Sequence, residues 1–366
     1  MASLASVTPG SSYPGLIKTI GNDALTTCSQ LSDGDGNALP ISISAQKNSV
    51  NLGSTSNLAS GCFSTILGGT GNCALGMYSI AGGINNCAVG DRTIALGFCN
   101  TALESGAISL GACNGVRSAV GIPYSLSTIS GGYNNFICGH LSFVGGGIIN
   151  RICGGSCNAI VGGEQNTILA CFGGCSVSSN FIGAGRYNAI TSSVTNCVNS
   201  IHSVIAGGCS NIICGAQFGT IPGGAFNRVD NAASVTVGGG IVAGGALNTV
   251  SSEDGSILAG RSNTVTGSRG SIINGTSNNV SGCCSGIFNG CCNVISSDFS
   301  SVLGGSNNNS CLPYSGIFGC AITSSMACAF HANRIVVTQL PSSASGLPSG
   351  ALWYDPADSN RVKYVP

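Results

Sequence analysis

A short, fixed repeat constrains this chain more than any other feature of its sequence. Between residues 248 and 308, copies of a Gly-x-x-Asn pattern end 15 residues apart, four times in succession. A period of this length is typical of proteins that stack one small structural unit, each unit contacting only its neighbours. The repeat therefore argues against an ordinary globular fold with one central core.

The same asparagine can be followed through sixteen copies of the repeat. They are Asn57, Asn72, Asn86, Asn100, Asn114, Asn135, Asn150, Asn166, Asn188, Asn211, Asn227, Asn248, Asn263, Asn278, Asn293 and Asn308. Most steps are 14, 15 or 16 residues long, and four are longer by roughly 6 to 8 residues, too few for another coil. We therefore predict loops on one face, within 115–128, 167–181, 189–204 and 228–241.

Two further positions keep step with the asparagine and carry apolar side chains. Six residues before it stand Ile66, Ile80, Ile94, Ile108, Ile129, Val144, Ile160, Ile182, Ile205, Ile221, Val242, Ile257, Ile272, Ile287 and Val302. Two residues after it stand Ala74, Ala88, Ala102, Val116, Ile137, Ile152, Ile168, Ile190, Ile213, Val229, Val250, Val265, Val280 and Ile295. Fifteen residues at roughly 3.3 Å each fit two short strands and two turns. We predict an all-β fold, a β-solenoid or β-roll with coils of about 15 residues, in which both columns point inward.

The glycines and asparagines of the repeat have a structural explanation. Glycine accepts a positive φ at a tight corner, and asparagine is the other residue that tolerates it best. Stacked coils would also bring the asparagine amides close enough to form a hydrogen-bonded ladder. We therefore expect these residues to build the coil rather than to bind a ligand.

Composition narrows the class of protein further. Only 7% of the residues are charged while 43% are hydrophobic, so the chain does not have the composition of a disordered polymer. Twelve basic and twelve acidic residues give no net charge, which argues against a nucleic-acid partner. There is no apolar run of membrane-spanning length and no basic leader before an apolar segment, so we expect neither membrane insertion nor a signal peptide.

Non-repeating segments are predicted at both ends. Residues 1–50 contain short strand-like runs around the turn-rich SDGDGN and are read as a β-rich attachment segment. Residues 51–325 would form the repeat shaft, and residues 326–366 a C-terminal cap. Trp353 and Tyr354 in that cap are read as packing residues that cover the end of the stack, with a binding platform as the alternative.

A coil this thin buries little apolar surface by itself, so we expect an intertwined or side-by-side homo-oligomer, with three chains. The pattern S-x-I-x-G-G-x-x-N-x-[IVA], as in SIAGGINNCAV and SILAGRSNTV, resembles the head repeats of trimeric autotransporter adhesins and repeats of phage fibre and spike proteins. The resemblance covers residues 51 to about 320. It implies a trimeric β-roll.

The C-terminal stretch bears on which of these families fits. The run LPSSASGLPSGALWYD resembles the closing segments of phage fibre and other virion appendage proteins. Autotransporters need a signal peptide and a C-terminal membrane anchor, which we do not find in the sequence. The resemblance therefore implies a structural fibre, whisker or spike located in the virion of a tailed phage, with other virion proteins (capsid, neck or tail) as partners and a host surface as a further contact.

The 21 cysteines are the most tempting candidates for chemistry, and their odd number leaves at least one thiol unpaired within the chain. Three interpretations stay open: small buried thiols that fill space, disulfides between stacked coils, and metal ligands. Several cysteines repeat in phase with the coil and should be stacked neighbours. The in-phase pairs are Cys73 with Cys87, Cys99 with Cys113, and Cys138 with Cys153. The two sets with metal-like spacing are Cys153, Cys157, Cys171 and Cys175, and Cys283, Cys284, Cys291 and Cys292.

Catalytic groups are scarce, so we predict no enzyme, no catalytic, cofactor or metal site and no cofactor. The three histidines, His140, His202 and His331, show no arrangement with an acid and a nucleophile. The acids are scattered and are read as solvated surface groups: Asp91, Glu104, Glu164, Asp230, Glu253, Asp254 and Asp298. A glycan-binding or glycan-degrading adhesin, which would need paired carboxylates in the second case, is the alternative function, as is a bacterial cell-surface adhesin. An ice-binding solenoid would need a flat threonine face that this sequence lacks.

Overall fold

The computed structural model describes residues 17–19, 29–33, 35–44, 46–117, 126–170, 177–192, 199–230, 238–358 and 361–366. Within these ranges the chain contains strands and turns and no helix. The strands are short because each one forms a single side of a narrow coil. The all-β prediction is confirmed.

Strand labels follow chain order. Sheet A contains β1 (Lys18–Thr19), β2 (Ser29–Ser32), β3 (Ala38–Ser44), β4 (Ser49–Leu52), β6 (Thr65–Thr70), β8 (Ile80–Ile84), β10 (Ile94–Phe98), β12 (Ile108–Ala112), β14 (Thr128–Ile129), β16 (Phe143–Val144), β18 (Ala159–Ile160), β21 (Phe181–Ile182), β24 (Val204–Ile205), β26 (Thr220–Ile221), β28 (Ile241–Val242), β30 (Ser256–Ile257), β32 (Ser271–Ile272), β34 (Gly286–Ile287), β36 (Ser301–Ser306), β38 (Gly316–Cys320) and β39 (Phe330–Ala332). Sheet B contains β5 (Leu58–Ala59), β7 (Cys73–Ala74), β9 (Cys87–Ala88), β11 (Thr101–Ala102), β13 (Gly115–Arg117), β15 (Phe136–His140), β17 (Arg151–Ser156), β19 (Thr167–Leu169), β22 (Ala189–Thr191), β25 (Ile212–Cys214), β27 (Arg228–Asp230), β29 (Thr249–Val250), β31 (Thr264–Val265), β33 (Asn279–Val280), β35 (Val294–Ile295) and β37 (Asn309–Ser310). Two further pairs are β20 (Val177–Ser178) with β23 (Ser200–Ile201), and β40 (Leu352–Asp355) with β41 (Arg361–Tyr364).

The chain winds through sheets A and B alternately, and strands of successive coils pair in parallel from β4 to β39 in sheet A and through the whole of sheet B. This arrangement is the predicted β-solenoid with coils of roughly 15 residues, and it contains about 17 coils. Before β4 the pairing is antiparallel, through β1, β2 and β3. The pair β40 and β41 is also antiparallel.

The core lies between the two sheets and consists of the predicted columns. Every apolar residue two positions after the repeat asparagine, from Ala74 to Ile295, is fully or almost fully buried. The column six positions before the asparagine is likewise buried at twelve of its fifteen predicted positions. The interior is thus one residue wide on each side, which explains why small and β-branched residues fill it.

Three members of the first column are placed wrongly by the sequence reading. Ile80, Ile94 and Ile108 are only half-buried and stand in the outward row that also contains Thr65 and Thr128. The inward positions belong to the next residues, Ala81, Ala95 and Ser109, which pair in register with the buried Ile66 and Ile129. In these coils the corner before the asparagine is one residue shorter, so the inward position moves by one. Their opposite wall carries Ala88 and Ala102, so the interior is narrower here.

The asparagine ladder is confirmed and runs without a break from Asn57 to Asn308. At every step the side-chain Oδ1 of one asparagine accepts a hydrogen bond from the backbone N–H of the next. The Nδ2 group donates to backbone carbonyls, as in Asn278, which donates to Gly290 of the following coil at 2.9 Å. All sixteen side chains are buried, and the ladder satisfies their polar atoms.

The repeat asparagines do not have a positive φ, contrary to the sequence reading. The positive φ falls on the residue before the asparagine, as in Tyr187 and Leu247, and on the glycine three positions before it, as in Gly185 and Gly245. The asparagine is therefore required for its amide and not for its backbone conformation. The glycine interpretation is confirmed at this corner.

A second buried polar column, which the sequence analysis did not find, follows the other corner of the coil. Eight or seven residues before the repeat asparagine stand buried serines such as Ser285 and Ser300, where Ser285 Oγ accepts a hydrogen bond from the Ser300 backbone at 3.0 Å. In two coils this position is asparagine, and Asn158 Oδ1 accepts from the backbone of Asn180 at 3.1 Å. In these coils both corners are thus held by polar side chains that bridge to the next coil.

The four predicted insertions begin at equivalent places. Each follows a three-residue strand of sheet B, namely β13, β19, β22 and β27. Their central residues, 118–125, 171–176, 193–198 and 231–237, lie outside the described residues. The chain therefore leaves the regular coil at the same edge of sheet B in all four cases.

Candidate functional site

The described cysteines lie on the outside of the solenoid. All 17 are exposed or half-buried, which contradicts the interpretation of the cysteines as buried filler. The in-phase prediction is confirmed for all three pairs: the Cys99 and Cys113 side chains are within hydrogen-bond distance of each other, Cys73 pairs in register with Cys87, and Cys138 pairs with Cys153. The last two pairs stand on the outer face of sheet B, since the neighbouring residues of those strands fill the interior.

None of the 17 described cysteines is joined in a disulfide. Within the described part of the chain, no three histidine, cysteine or acidic residues come together in a way that would hold a metal ion. The set of Cys283, Cys284, Cys291 and Cys292 therefore remains two separate pairs, with Sγ–Sγ distances of 3.3 and 2.9 Å. Of the other predicted set, Cys171 and Cys175 lie outside the described residues.

One thiol in each in-phase pair of sheet B, Cys87 and Cys138, holds its proton more tightly than an ordinary cysteine does. Burial raises the pKa of Cys87 to about 11, and the adjacent Cys73 thiol adds to the rise. Burial also raises the pKa of Cys138; Cys153 adds to that rise and the Arg117 and Arg151 guanidinium groups oppose it. Because the thiolate is the reactive form, Cys87 and Cys138 are poor nucleophiles at neutral pH.

Cys138 belongs to a cluster of arginines and aromatic residues on the outer face of sheet B, where β13, β15 and β17 lie side by side. Arg117 is in register with Cys138 and Cys153, and Phe136 is in register with Arg151. The guanidinium carbon of Arg117 lies 4.6 Å from the centre of the Phe136 ring, and that of Arg151 lies 5.7 Å from the same centre. Cation–π contacts of this kind hold both cations beside one aromatic ring.

A cavity of about 500 Å³ opens beside this cluster. Its lining includes Arg117, Phe136, Arg151, Gln165, Thr167 and Tyr187. A second cavity of about 280 Å³, lined by Thr101, Leu103 and Gly115, shares Arg117 and Phe136 with the first. Phe136 and Arg117 thus form the wall between two adjoining cavities on sheet B.

The two arginines of the cluster differ from others nearby in their ion pairing. Arg186 pairs with Glu164 at 3.1 Å, and Arg228 pairs with Asp230. Among the described residues no carboxylate pairs with Arg117 or Arg151, and Arg151 donates its Nε–H to the Cys153 sulfur at 3.0 Å. The cavity therefore has two positive charges in its wall and no acidic residue in its lining.

Neither arginine was among the site residues predicted from the sequence. The signal was available, because Arg117 stands three positions after one repeat asparagine and Arg151 one position after another. Both positions face outward on sheet B, and only two coil steps separate them. The outward columns of the repeat therefore contain the information that the two arginines lie close together.

The histidines considered as catalytic candidates do not meet in the structure. His202 stacks on Phe218 with ring centres 5.3 Å apart, and the His331 Nε2 lies 3.1 Å from the Met326 carbonyl oxygen. His140 stands at the end of β15, where its backbone carbonyl accepts a hydrogen bond from Cys157. The three are spread along the solenoid.

Several of the predicted surface acids make structural contacts. Asp91 and Asp298 accept hydrogen bonds from the backbone of Met77 and Cys283, both at 2.8 Å, one coil away. These two carboxylates bridge successive coils at a corner. Glu164 and Asp230 take part in the arginine pairs, and nothing further marks Glu104, Glu253 or Asp254.

The C-terminal hairpin has its own contacts around the predicted cap residues. Lys363 lies over the Trp353 ring at 5.7 Å and pairs with Asp355 at 2.6 Å. The Tyr354 backbone donates to the Pro341 carbonyl at 3.0 Å. These contacts are all within residues 341–363, so the capping role of the segment stays a prediction.

No protein-family model matches this sequence, and no curated protein matches it at a significant level. Across the described residues, no helix has the length and apolar character needed to cross a bilayer.

Proposed function

We propose that this chain is a non-enzymatic structural shaft that associates as a homotrimer and serves as a fibre, whisker or spike of a tailed phage particle. The observation that carries the proposal is an unbroken apolar column on the outer face of sheet A. A fibre subunit needs such a surface because a single narrow solenoid buries only two columns of apolar side chains.

The column contains one large residue from each of five successive coils. Its members are exposed by 41% to 55%, and they are Leu258, Ile273, Phe288, Leu303 and Phe318. Single exposed apolar residues are ordinary on protein surfaces, but a continuous stripe marks an interaction surface. The stripe lies parallel to the long axis of the stack, as a contact between parallel shafts requires.

A shallow trough runs beside this ridge. Two residues before each ridge residue, on the same face of the strand, the side chain is very small. The positions are occupied by Ser256, Ser271, Gly286, Ser301 and Gly316, which pair in register along sheet A. The ridge of one chain therefore complements the trough of another.

A contact of ridge with trough can be repeated around a closed ring, in which each chain offers its ridge to one neighbour and its trough to the other. We propose three chains because the repeat resembles the trimeric β-rolls of adhesin heads and phage fibres.

The asparagine ladder supports a mechanical role. The side chains Asn248, Asn263 and Asn278 link successive coils at 3.0 to 3.1 Å, in addition to the backbone pairing of both sheets. Asparagine ladders also add to the stability of fibrous β-stacks. The repeat residues thus build a rod whose coils are bonded to one another along its length.

The virion location rests on the resemblance of the LPSSASGLPSGALWYD run to closing segments of phage appendage proteins. In this proposal the antiparallel strands before β4 join the shaft to capsid, neck or tail proteins, and residues 326–366 cap the distal end. The shaft holds its exposed faces away from the particle, where they reach the host surface.

Immunogold electron microscopy of particles from the phage that encodes the chain tests this proposal. Antibodies against the purified protein should decorate one type of projection, and particles from a deletion mutant should lack both the projection and the gold. Decoration of the host cell envelope, with particles left bare, would favour the cell-surface adhesin instead.

A further inference from the structure

We infer that the larger cavity beside Phe136 is a binding site for a carboxylate-bearing saccharide. The site lies on sheet B of a single chain, whereas the proposed trimer contact uses sheet A. It therefore does not depend on the oligomeric state or on the location of the protein.

The charge of the site selects an anion. Arg117 and Arg151 bring two guanidinium groups to the wall of the cavity, no carboxylate of the described residues pairs with either, and the lining contains no acid. Guanidinium groups bind carboxylates through two parallel hydrogen bonds, which gives them a geometric preference beyond simple charge. Arg151 uses its Nε–H on Cys153, which leaves its terminal nitrogens for a ligand.

The remaining lining residues suit a sugar better than a bare inorganic ion. Phe136, Ile149 and Tyr187 supply apolar surface, while Gln165 and Thr167 supply hydrogen-bonding groups beside it. A sugar ring has the same combination, with an apolar face of C–H groups and a rim of hydroxyls. The volume of about 500 Å³ lies within the range of small-molecule sites and exceeds what a single ion needs.

The spacing of the two arginines along the stack also fits a saccharide. Arg117 and Arg151 stand two strands apart in sheet B, which places their backbones roughly 9 to 10 Å apart along the stack. This distance is comparable to the length of a disaccharide, so a saccharide that runs along the axis can present a charge to each arginine. The second cavity, on the other side of Phe136, extends the same path toward Thr101.

Cation–π contacts prepare the site. Both guanidinium groups rest beside the Phe136 ring, and Arg186 lies 5.0 Å from the Tyr187 ring centre at the edge of the same cavity. Charge held in place before binding costs less ordering on binding. Arg186 is already neutralised by Glu164, so we assign ligand recognition to Arg117 and Arg151.

Isothermal titration calorimetry at low salt tests the site with two probes, trigalacturonic acid and an α2,8-linked sialic acid trimer. We expect the full-length protein to bind at least one of them and to bind the methyl ester of that probe at least tenfold more weakly. Inorganic sulfate should bind more weakly than the acidic saccharide, because it makes no contact with Phe136 and Tyr187.

The double substitution Arg117→Ala with Arg151→Ala should weaken binding of the acidic probe by at least tenfold, and Arg117→Lys with Arg151→Lys should recover only part of it. Arg261→Ala, which removes an exposed arginine from a distant coil, is the matched control and should bind as the unaltered protein does. Circular dichroism melts establish that each variant is folded. Failure of both acidic probes to bind, equal binding of the methyl ester, sulfate binding as tight as that of the saccharide, or unchanged affinity of the double alanine variant would each overturn the inference.

Discussion

The side chain of Asn263 accepts two hydrogen bonds from Asn278, one coil further on: its Oδ1 lies 3.0 Å from the Asn278 backbone nitrogen and 3.1 Å from its Nδ2. Asn278 repeats the arrangement with Asn293 at 3.0 Å in both contacts. The Asn278 side chain therefore accepts hydrogen bonds from the following coil and donates to both neighbouring coils, to Asn263 on one side and to the Gly290 carbonyl on the other. Only an amide side chain can fill both roles, because aspartate lacks the donor and leucine lacks both the donor and the acceptor.

Asn278→Asp should destabilise the solenoid by about 2 to 5 kcal/mol, since it removes the donors to Asn263 and Gly290 and buries a charge beside their oxygens. Asn274→Asp is the control in the same coil. Its side chain is exposed, and its Oδ1 only accepts from the Gly275 backbone, which aspartate can also do. Chemical denaturation followed by circular dichroism should show a lower midpoint for the first variant alone. Equal denaturation midpoints for the two variants would show that the ladder does not stabilise the solenoid.

Two adjacent glycines should differ sharply in their tolerance of alanine. A Cβ at Gly245 would lie 2.1 Å from the Gly260 carbonyl oxygen, and its φ is +85°. A Cβ at Gly244 would meet nothing within 4 Å. Gly245→Ala should therefore cost at least about 2 kcal/mol and Gly244→Ala less than about 0.5 kcal/mol, measured as shifts in the thermal midpoint.

The shifted register of the narrow coils predicts which of the repeat isoleucines stabilise the fold. Ile94 and Ile160 both precede a repeat asparagine by six residues, but Ile160 is fully buried and Ile94 faces partly outward. Ile160→Ala should cost about 2 to 5 kcal/mol and Ile94→Ala less than about 1 kcal/mol. Ala95→Ile, which adds bulk to the narrow interior, should cost about 1 to 3 kcal/mol. A large effect at Ile94 with none at Ala95 would restore the register expected from the sequence.

The fold could be predicted from the repeat period, because each coil repeats the same inward pattern and the same residues at its corners. The shift at Ala81, Ala95 and Ser109 was harder to predict. A corner shortened by one residue leaves Ile80, Ile94 and Ile108 in phase with the asparagine while the strand has moved past them. Counting from the asparagine column alone cannot detect such a change.

Surface features were less accessible to sequence reasoning than the interior. The cysteines were open to three interpretations because spacing gives their phase and not whether they face in or out. Their position beside inward alanines or isoleucines decides it, as for Cys73 next to Ala74. The Arg117 and Arg151 cluster depends on contacts with Phe136 across three coils, which only the register of sheet B reveals.

Alkylation of Cys87 should be slow at neutral pH and should rise about tenfold per pH unit until the pH approaches about 11, because burial and Cys73 raise its pKa to that value. Between pH 9.0, the ordinary pKa of a cysteine, and pH about 11, the native state keeps the Cys87 proton while the unfolded chain loses it. The contribution of Cys87 to stability is therefore present below pH 9.0 and declines as the pH rises through this window.

Peptide-level mass spectrometry after timed iodoacetamide treatment measures the Cys87 rate across this pH range. Cys73→Ser should move the rise to lower pH, since it removes the neighbouring thiol that adds to the shift. A rate for Cys87 that is already at its plateau at pH 8 would contradict the assignment.

The central claim, that the apolar ridge of sheet A joins three parallel shafts, is tested most directly by light scattering on the purified chain eluting from a size-exclusion column. We predict a mass three times that of the 36.0 kDa chain. Phe288→Lys should convert the protein to monomer, because it places a charge at the centre of the ridge. Val294→Lys, in the same coil but on sheet B, should leave the trimer intact. A monomeric mass for the unaltered chain, or a trimer that survives Phe288→Lys unchanged, would contradict the account.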